Sequence, residues 1–306
     1  MGVGWPHRLA CVTAGATVGL IVAGGLVTNT GAALAVPDWP TTFGHNMFFY
    51  PWSKMVGNIF YEHSHRLVAS CVGLLTIAFT VTVWVRESRA WLRWLAVAAL
   101  VLVVVQGILG GLRVILLEQT LAIVHAATAQ AFFALTVGLA VFTSKDWLGL
   151  PEPTESLNDG GRLRRLCLAT TALIYIQVII GAVLRHTGER VDAHLAFAAL
   201  VGLHTVLILI RISRYHATVS GLQRPALGLF ALLLLQLLLG ILSYLAKFTA
   251  ALRLPIDATV IITTTHLACG ALMLGSAVAL TLKCYRLSTA RAQTAGREIL
   301  TEQFST

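Results

Sequence analysis

Charged residues are scarce in this sequence. Asp, Glu, Lys and Arg make up 11% of the 306 residues, whereas hydrophobic residues make up 57%. A mean hydropathy of +0.80 excludes an ordinary soluble enzyme. Acidic residues are the scarcest charged class, with 13 Asp and Glu against 22 Lys and Arg. The net charge of +9 is spread along the chain and forms no concentrated basic surface, so we expect no nucleic-acid partner.

Long uncharged runs of mostly aliphatic residues occupy most of the chain. Each is close to the ~20 residues that a helix needs to cross a bilayer. Backbone groups must be satisfied inside the segment when it crosses lipid, and the runs are far too long for barrel strands. We therefore predict an all-α membrane protein with eight transmembrane helices, at about 9–30, 67–85, 94–112, 119–144, 166–184, 193–210, 225–246 and 258–282.

The basic residues indicate the orientation of these predicted helices. Fifteen of the 22 Lys and Arg, such as Arg86, Arg211 and Arg286, fall on one side of the bilayer. By the positive-inside rule this side is the cytoplasm, and both termini lie there. The segment before the first run is not typical of a transit peptide, which favours a bacterial plasma (inner) membrane. The five cysteines lie within spans or near their cytoplasmic ends, so we expect no structural disulfide.

The chain contains an internal repeat of about half its length. GGLVTNTG at 24–31 resembles GAVLRHTG at 181–188, and HRLVASCVGLLT at 65–76 resembles HLAFAALVGLHT at 194–205. QGILGGL at 106–112 and QLLLGIL at 236–242 follow in the same order. We predict a tandem repeat of two four-helix bundles in the same orientation. Their bounds are 1–144 for the N-terminal half and 166–306 for the C-terminal half, joined by a cytoplasmic linker at 145–165.

Four histidines occupy equivalent places near the outer ends of the second, fourth, sixth and eighth spans. They are His65, His125, His194 and His266. An ionisable residue inside a membrane helix is costly and indicates function. Two imidazoles facing each other across a four-helix bundle can hold a haem iron axially. The pattern predicts one haem in each half, bound by His65 with His125 and by His194 with His266. His204 is the alternative ligand in the sixth span.

Two simpler roles for these histidines stay open. A single buried histidine is more often satisfied by hydrogen bonds between helices, but four at matching depth favour a haem. Zinc sites usually add Cys or carboxylate ligands, and only Glu62 is placed to help, so zinc ranks lower. Several glycines either bring helices close together or make room for a porphyrin: Gly24, Gly25, Gly110, Gly111, Gly181 and Gly240.

Glu62 lies three residues before His65 at the outer end of the second span, so on a helix both side chains share one face. Val191 stands at the corresponding place in the other half. The N-terminal half is thus the candidate catalytic centre, and the C-terminal half is the candidate electron relay. Arg66 either pairs with a haem propionate or reaches the interface as a snorkelling cation.

At these residues the sequence resembles the haem A synthases of the aerobic respiratory chain, over essentially the whole chain. The resemblance rests on Glu62-x-x-His65-Arg66, His125, the TG after the first and fifth spans, and the histidines of the sixth and eighth. It implies an oxidoreductase that converts the C8 methyl group of haem O into a formyl group. The product would be haem A for terminal oxidases.

The resemblance also implies residue roles. Glu62 would be the catalytic acid, and His65 and His125 would bind the substrate haem, haem O or haem A. His194 and His266 would bind haem b, with both sites toward the outer face. The partners would be haem O, the enzyme that makes it and the lipid bilayer. The electron acceptor, the source of oxygen (water or O2) and homo-oligomer formation stay open. One departure is plain, because residues 32–61 contain no cysteine pair such as some members carry.

Three alternatives belong to other classes of protein. A non-catalytic di-haem membrane cytochrome b would pass electrons between quinol and a partner, and it would not need Glu62 beside only one histidine pair. A transporter with parallel repeats would use the histidines for protons or a metal. A prenyltransferase that makes haem O is disfavoured, since the loops contain no paired Asp-rich motif.

Overall fold

The protein consists of eight long helices and one short one across the described residues. A computed structural model describes residues 4–149, 161–219, 221–249 and 251–304, with side chains up to residue 287. The helices are α1 Trp5–Asn29, α2 Asn58–Arg86, α3 Ala90–Leu116, α4 Gln119–Phe142, α5 Lys145–Leu148, α6 Arg162–Thr187, α7 Val191–Tyr215, α8 Gln223–Phe248 and α9 Ile256–Phe304.

Every helix except α5 is long and apolar enough to cross a membrane, α9 over Ile256–Leu287. The described residues form no β-strand, and their one isolated β-bridge joins Thr42 and His45. The prediction of an all-α protein with eight spans is confirmed.

The helices extend a few residues beyond the apolar runs at most ends. The largest difference at the start of a helix is in α2, which begins at Asn58, directly after Gly57 with φ of +56°. Its first two turns therefore carry Glu62 and His65, and the premise that both lie on one helix is confirmed. The extra residues at 58–66 are mostly polar or aromatic, so hydropathy alone could not show that they continue the helix.

The connections at the outer end differ in length between the halves. We call outer the end of the bundle that carries the loop at 30–57, and inner the opposite end. Only residues 117–118 separate α3 from α4, and residues 188–190 separate α6 from α7. Leu117, Gly188 and Arg190 adopt left-handed backbone conformations in these tight turns. The loop at 30–57, with two single-turn 3-10 helices, is the main structural difference.

The helices pack in the same order in both halves. In the first, α1 packs against α2 and α4, and α3 packs against α4. In the second, α6 packs against α7 and α9, and α8 packs against α9. The halves meet where α1 and α4 contact α9, and where α4 contacts α6. This order agrees with two similarly connected bundles; the tandem origin and the cytoplasmic termini stay predictions. Of the predicted linker, 150–160 lies outside the described residues.

The buried apolar cores lie toward the inner end of each half. The core of the first half includes Phe79, Val83, Leu92 and Leu139, and that of the second includes Ile208, Ile212, Leu222 and Leu280. A smaller cluster of Ile21, Phe133 and Ala271 joins the halves. Close apolar packing fixes the inner parts of the helices. The outer parts carry the four histidines and the glycines that contact them.

Candidate functional site

Each of the four predicted histidines packs against a glycine on the preceding long helix. A methyl group placed on any of these glycines would approach the imidazole Cε1 to a distance tighter than normal contact. The pairs and distances are Gly24–His65 at 3.1 Å, Gly110–His125 at 3.3 Å, Gly181–His194 at 3.2 Å and Gly240–His266 at 3.1 Å. The glycines thus make room for the imidazole rings, a role that was not predicted from the sequence.

The two histidines of the C-terminal half face each other. The ring centroids of His194 and His266 are 6.4 Å apart, with an angle of 65° between the ring planes. Two imidazole–metal bonds of about 2 Å each would put the ring centres roughly 6 Å apart. The observed separation fits one metal between the rings. His204 instead lies with Nδ1 3.4 Å from the Thr170 hydroxyl, so His194 is the α7 histidine that faces His266.

Glutamine side chains contact both rings of this pair. The amide nitrogen of Gln177 donates to the backbone carbonyl of His194 at 3.0 Å and lies 3.2 Å from its Nδ1. The amide nitrogen of Gln236 lies 3.3 Å from Nε2 of His266. Neutral amides therefore orient the rings of the C-terminal half.

The two histidines of the N-terminal half lie near each other and near charged residues. His65 lies within electrostatic range of His125 and of Arg113. The Nδ1 atoms of His65 and His125 are buried and have no partner in the part of the chain that the structure describes. The same is true of Nδ1 of His266. Buried polar atoms without partners are costly. Their presence here is consistent with imidazole rings that interact with a bound group.

Glu62 and Arg66 connect α2 to the first outer loop. Glu62 is only 5% exposed. Its Oε1 accepts from Nη2 of Arg66 at 3.0 Å, and its Oε2 accepts from the backbone N–H of Val36 at 3.0 Å. Arg66 also donates to the carbonyls of Val36, Asp38 and Thr41 at 2.9, 2.7 and 3.1 Å. The ion pair therefore anchors the loop on the N-terminal half.

Further contacts hold this loop over the same half. The Trp39 indole lies directly on Gly111 of α3, where any side chain would overlap it. The Thr42 hydroxyl lies 3.1 Å from Nδ1 of the buried His63. The ring of Tyr50 packs against His63 with a centroid distance of 5.2 Å. This role of His63 was not predicted from the sequence, because His63 shares no helix face with His65.

Asp38 stabilises the tip of the loop. Its carboxylate accepts from the backbone N–H groups of Phe43 and Gly44 at 2.7 and 2.8 Å and from the Thr41 hydroxyl at 2.5 Å. Partial burial raises the pKa of Asp38, but these hydrogen bonds outweigh it and leave that pKa below its usual value. The loop therefore depends on the ionised carboxylate.

Two arginines near the N-terminal pair were counted in the sequence only as topology signals. Arg113 of α3 interacts electrostatically with Glu62, His65 and His125. Arg185 of α6 interacts with His125 from the other half. No charged side chain acts in the same way on His194 or His266 among the described residues. Position near the end of a span could not distinguish these arginines from snorkelling cations.

The four candidate ligand histidines are grouped in pairs. Within the described ranges no group of three or more His, Cys, Asp or Glu side chains is placed to hold a metal ion. This arrangement agrees with the lower rank given to a zinc site, which typically has four protein ligands. Two imidazoles per site match the axial ligation of a haem iron.

Comparison with known proteins identifies the family. Residues 7–193 match the family model described as cytochrome oxidase assembly protein (COX15-CtaA), which is more than half of the chain. The chain belongs to this family. The matched range contains all of the N-terminal half except its first six residues and reaches the first turn of α7, just before His194.

Relatives of this chain carry the name Heme A synthase. The chain is 28% identical to the protein of Shouchella clausii over 183 residues, 59% of each chain. It is 27% identical to that of Bacillus licheniformis over 190 residues, again 59% of each chain. It is 26% identical to that of Geobacillus kaustophilus over 185 residues, 58% of this chain and 55% of the relative. The matches thus span somewhat over half the length of these relatives.

Proposed function

We propose that this protein is a haem A synthase that oxidises the C8 methyl group of haem O to a formyl group. The N-terminal half would bind haem O, and the C-terminal half would bind haem b. Membership of the cytochrome oxidase assembly family and the names of the relatives support a role in haem A formation. The observation that carries the proposal is four glycine–histidine pairs of which only one has a carboxylate one turn away.

Four imidazoles would hold the two iron atoms. His65 and His125 would bind the iron of haem O, and His194 and His266 that of haem b. When bound, haem b supplies one-electron transfer. The amides of Gln177 and Gln236 orient the rings that hold it. The glycines opposite the four rings leave the space that the imidazoles occupy.

The proposed reaction requires an external electron acceptor. Conversion of a methyl to a formyl group with water as the oxygen source consumes one water molecule and releases four electrons and four protons. A membrane quinone is the class of acceptor that we assign to these electrons. The protons must leave through groups close to the methyl carbon, and such a base contributes most when it is held in hydrogen-bond reach.

Glu62 is the residue that we assign to orient the water and accept a proton. Both of its oxygens accept hydrogen bonds, from Arg66 and from the Val36 N–H, which is the role of an ionised carboxylate. Arg113 adds a second positive charge in its surroundings. A fixed carboxylate also stabilises positive charge that develops at the porphyrin edge. Val191, at the corresponding place in α7, can do neither.

The site would face the outer side of a bacterial plasma membrane. The eight apolar spans support a multi-pass membrane protein, and the distribution of basic residues supports an outer position for the histidines. Haem O carries a long apolar tail, so its transfer from the enzyme that makes it would occur within the bilayer. That enzyme is the partner that we propose.

Pigment extraction from the purified protein tests the proposal. The chain is produced in a host that also makes haem O, and the extracted haems are separated and identified. We expect b-type low-spin absorption bands with haem O and haem A in the extract. Haem b alone would instead support a non-catalytic cytochrome b, and a colourless protein would support a transporter.

A further inference from the structure

A group of basic side chains lies at the outer end between the two halves. Arg113 of α3, Arg185 and His186 of α6 and Lys247 of α8 interact electrostatically with one another or with His125. The amide of Gln119, at the start of α4, donates to the His186 carbonyl and so joins α4 to the end of α6. Like charges at this depth repel strongly, since the surroundings screen them poorly.

The charge of this group is not balanced within the described residues. Nε and Nη1 of Arg185 are buried and have no hydrogen-bond partner there. Its Nη2 lies 3.5 Å from Nε2 of His186, which is itself a basic group. The ion pairs of the described part are Glu62–Arg66 and Glu87–Arg89. Glu62 is therefore already engaged, and a buried guanidinium without a counter-charge indicates an anionic ligand.

The group belongs to the site of the N-terminal half, although three of its four residues come from the C-terminal half. Arg113 acts on both His65 and His125, and Arg185 acts on His125. In the aligned repeats, Thr28 takes the place of Arg185 and Ser243 that of Arg113. The Thr28 hydroxyl donates to the carbonyl of its own helix. The histidine pair of the C-terminal half thus has no equivalent cations at these two aligned positions.

We infer that Arg113 and Arg185 bind the carboxylate groups of the tetrapyrrole held by His65 and His125, so that both halves of the protein hold one ligand. This inference rests on the proposed function. Guanidinium groups match carboxylates with paired, charge-assisted hydrogen bonds. Arg66 is a poorer candidate, because both of its Nη atoms already donate to carbonyl groups of the loop and to Glu62.

The same cations would also suit the phosphate of an anionic lipid at the outer surface. The position of Arg185 favours the tetrapyrrole. Its Nε and Nη1 are buried, and the residue interacts electrostatically with His125 inside the bundle. A lipid headgroup would be held by exposed cations at the rim. A tetrapyrrole with neutral carboxylates distinguishes these two possibilities. Its binding should weaken only if the arginines contact the carboxylates.

The test compares haem b with its dimethyl ester, in which both carboxylates are neutral. Each is titrated into the full-length chain carrying His266→Ala, so that the histidine pair of the N-terminal half reports binding through the Soret band. We expect the ester to bind at least about tenfold more weakly than haem b. In the Arg113→Gln/Arg185→Gln variant this ratio should fall to about one to two.

Two further variants serve as controls. Arg185→Lys keeps the charge and should retain part of the ratio. Arg253→Gln removes an exposed cation on the same side of the membrane and should leave the ratio unchanged. Helix content by circular dichroism shows that each variant is folded.

Three results would overturn the inference. A ratio that stays near tenfold in the double variant would show that these arginines do not contact the carboxylates. An unchanged ratio with loss of co-purifying phosphatidylglycerol would assign the cations to lipid. Failure of both tetrapyrroles to bind the chain with intact arginines would remove the proposed function itself, together with this inference.

Discussion

The two halves share a framework and differ in the charges around it. In each half, two histidines each face a glycine on the long helix that precedes them. Around the histidines of the N-terminal half lie Glu62, Arg66, Arg113 and Arg185, whereas Gln177 and Gln236 contact those of the C-terminal half. Under the proposed function, the framework would determine where a flat ligand fits, and the added charges would determine which ligand reacts.

The outer loop adds a second difference. Residues 30–57 cover the N-terminal half and are fixed by Arg66, whereas three residues connect α6 to α7. Trp39 reaches Gly111, beside the glycine that faces His125. A covered site excludes water from all but chosen positions, and this suits a reaction in which one water molecule is consumed.

Replacement of the single acid should give the largest effect. Glu62→Gln keeps an acceptor for the Val36 N–H but loses the negative charge, so haem A formation should fall by about 10²–10⁴-fold. Haem content should stay unchanged. Extracted haem A per protein measures the effect, and Val191→Gln in the other half is the control. Unaltered haem A yield in Glu62→Gln would remove Glu62 from the mechanism.

Removal of one histidine from each half should separate the two sites. His125→Ala should abolish binding at the N-terminal site and leave haem b in place, while His266→Ala should do the reverse. Each variant should thus lose about half of the bound haem. Pyridine haemochrome spectra of the purified variants measure both amount and type. Loss of the same haem in both variants would contradict one site per half.

Alanine at a glycine that faces a ring should weaken binding without changing any charge. Gly110→Ala places a methyl group 3.3 Å from Cε1 of His125, so the ring must shift. We expect roughly a few-fold loss of haem from the N-terminal half. Gly107→Ala, one turn earlier, is the matched control because no atom lies within 4 Å of the added methyl. Equal haem loss in both variants would mean that space beside the ring is unimportant.

Acid should loosen the outer loop of the N-terminal half, with the smallest effect. The pKa of Asp38 is lower in the folded loop than in the unfolded chain. Its stabilisation is therefore fully present above about pH 4, near the unfolded value, and is lost as pH falls through the folded value. Protection of the Phe43 and Gly44 amides against hydrogen exchange, measured relative to the intrinsic rate at each pH, should fall only below that point.

Asp38→Asn should remove this pH dependence and give faster exchange at neutral pH. The amides of the α6–α7 turn in the same samples serve as the internal control. If the protection factors of Phe43 and Gly44 in the unchanged protein stayed constant from pH 7 to pH 3, Asp38 would not hold the loop.

Much of the fold could be predicted from the sequence, because a membrane helix must be long and apolar. Hydropathy located all eight spans, and the repeat located the four histidines at matching depth. The glycines that contact these histidines were identified in the sequence, but only the coordinates show that each one leaves space for an imidazole ring. The start of α2 at Asn58 was missed because its first turns are polar and aromatic.

The partners of the charged residues could not be predicted. Arg66 bonds to carbonyls of a loop 25–30 residues earlier in the chain, and no local pattern shows such a contact. Arg185 acts on a histidine of the other half. Such contacts depend on how α4 packs against α6, whereas the sequence indicates only that both residues lie near the outer surface.

The number of low-spin haem irons per chain tests the central claim most directly. Electron paramagnetic resonance of the purified, oxidised protein, combined with its haem-to-protein ratio, counts irons with two imidazole ligands. Two such irons per chain, one lost in His65→Ala and the other in His194→Ala, is the result that paired histidines in both halves predict. A single iron, or two that persist when either histidine is removed, would contradict it.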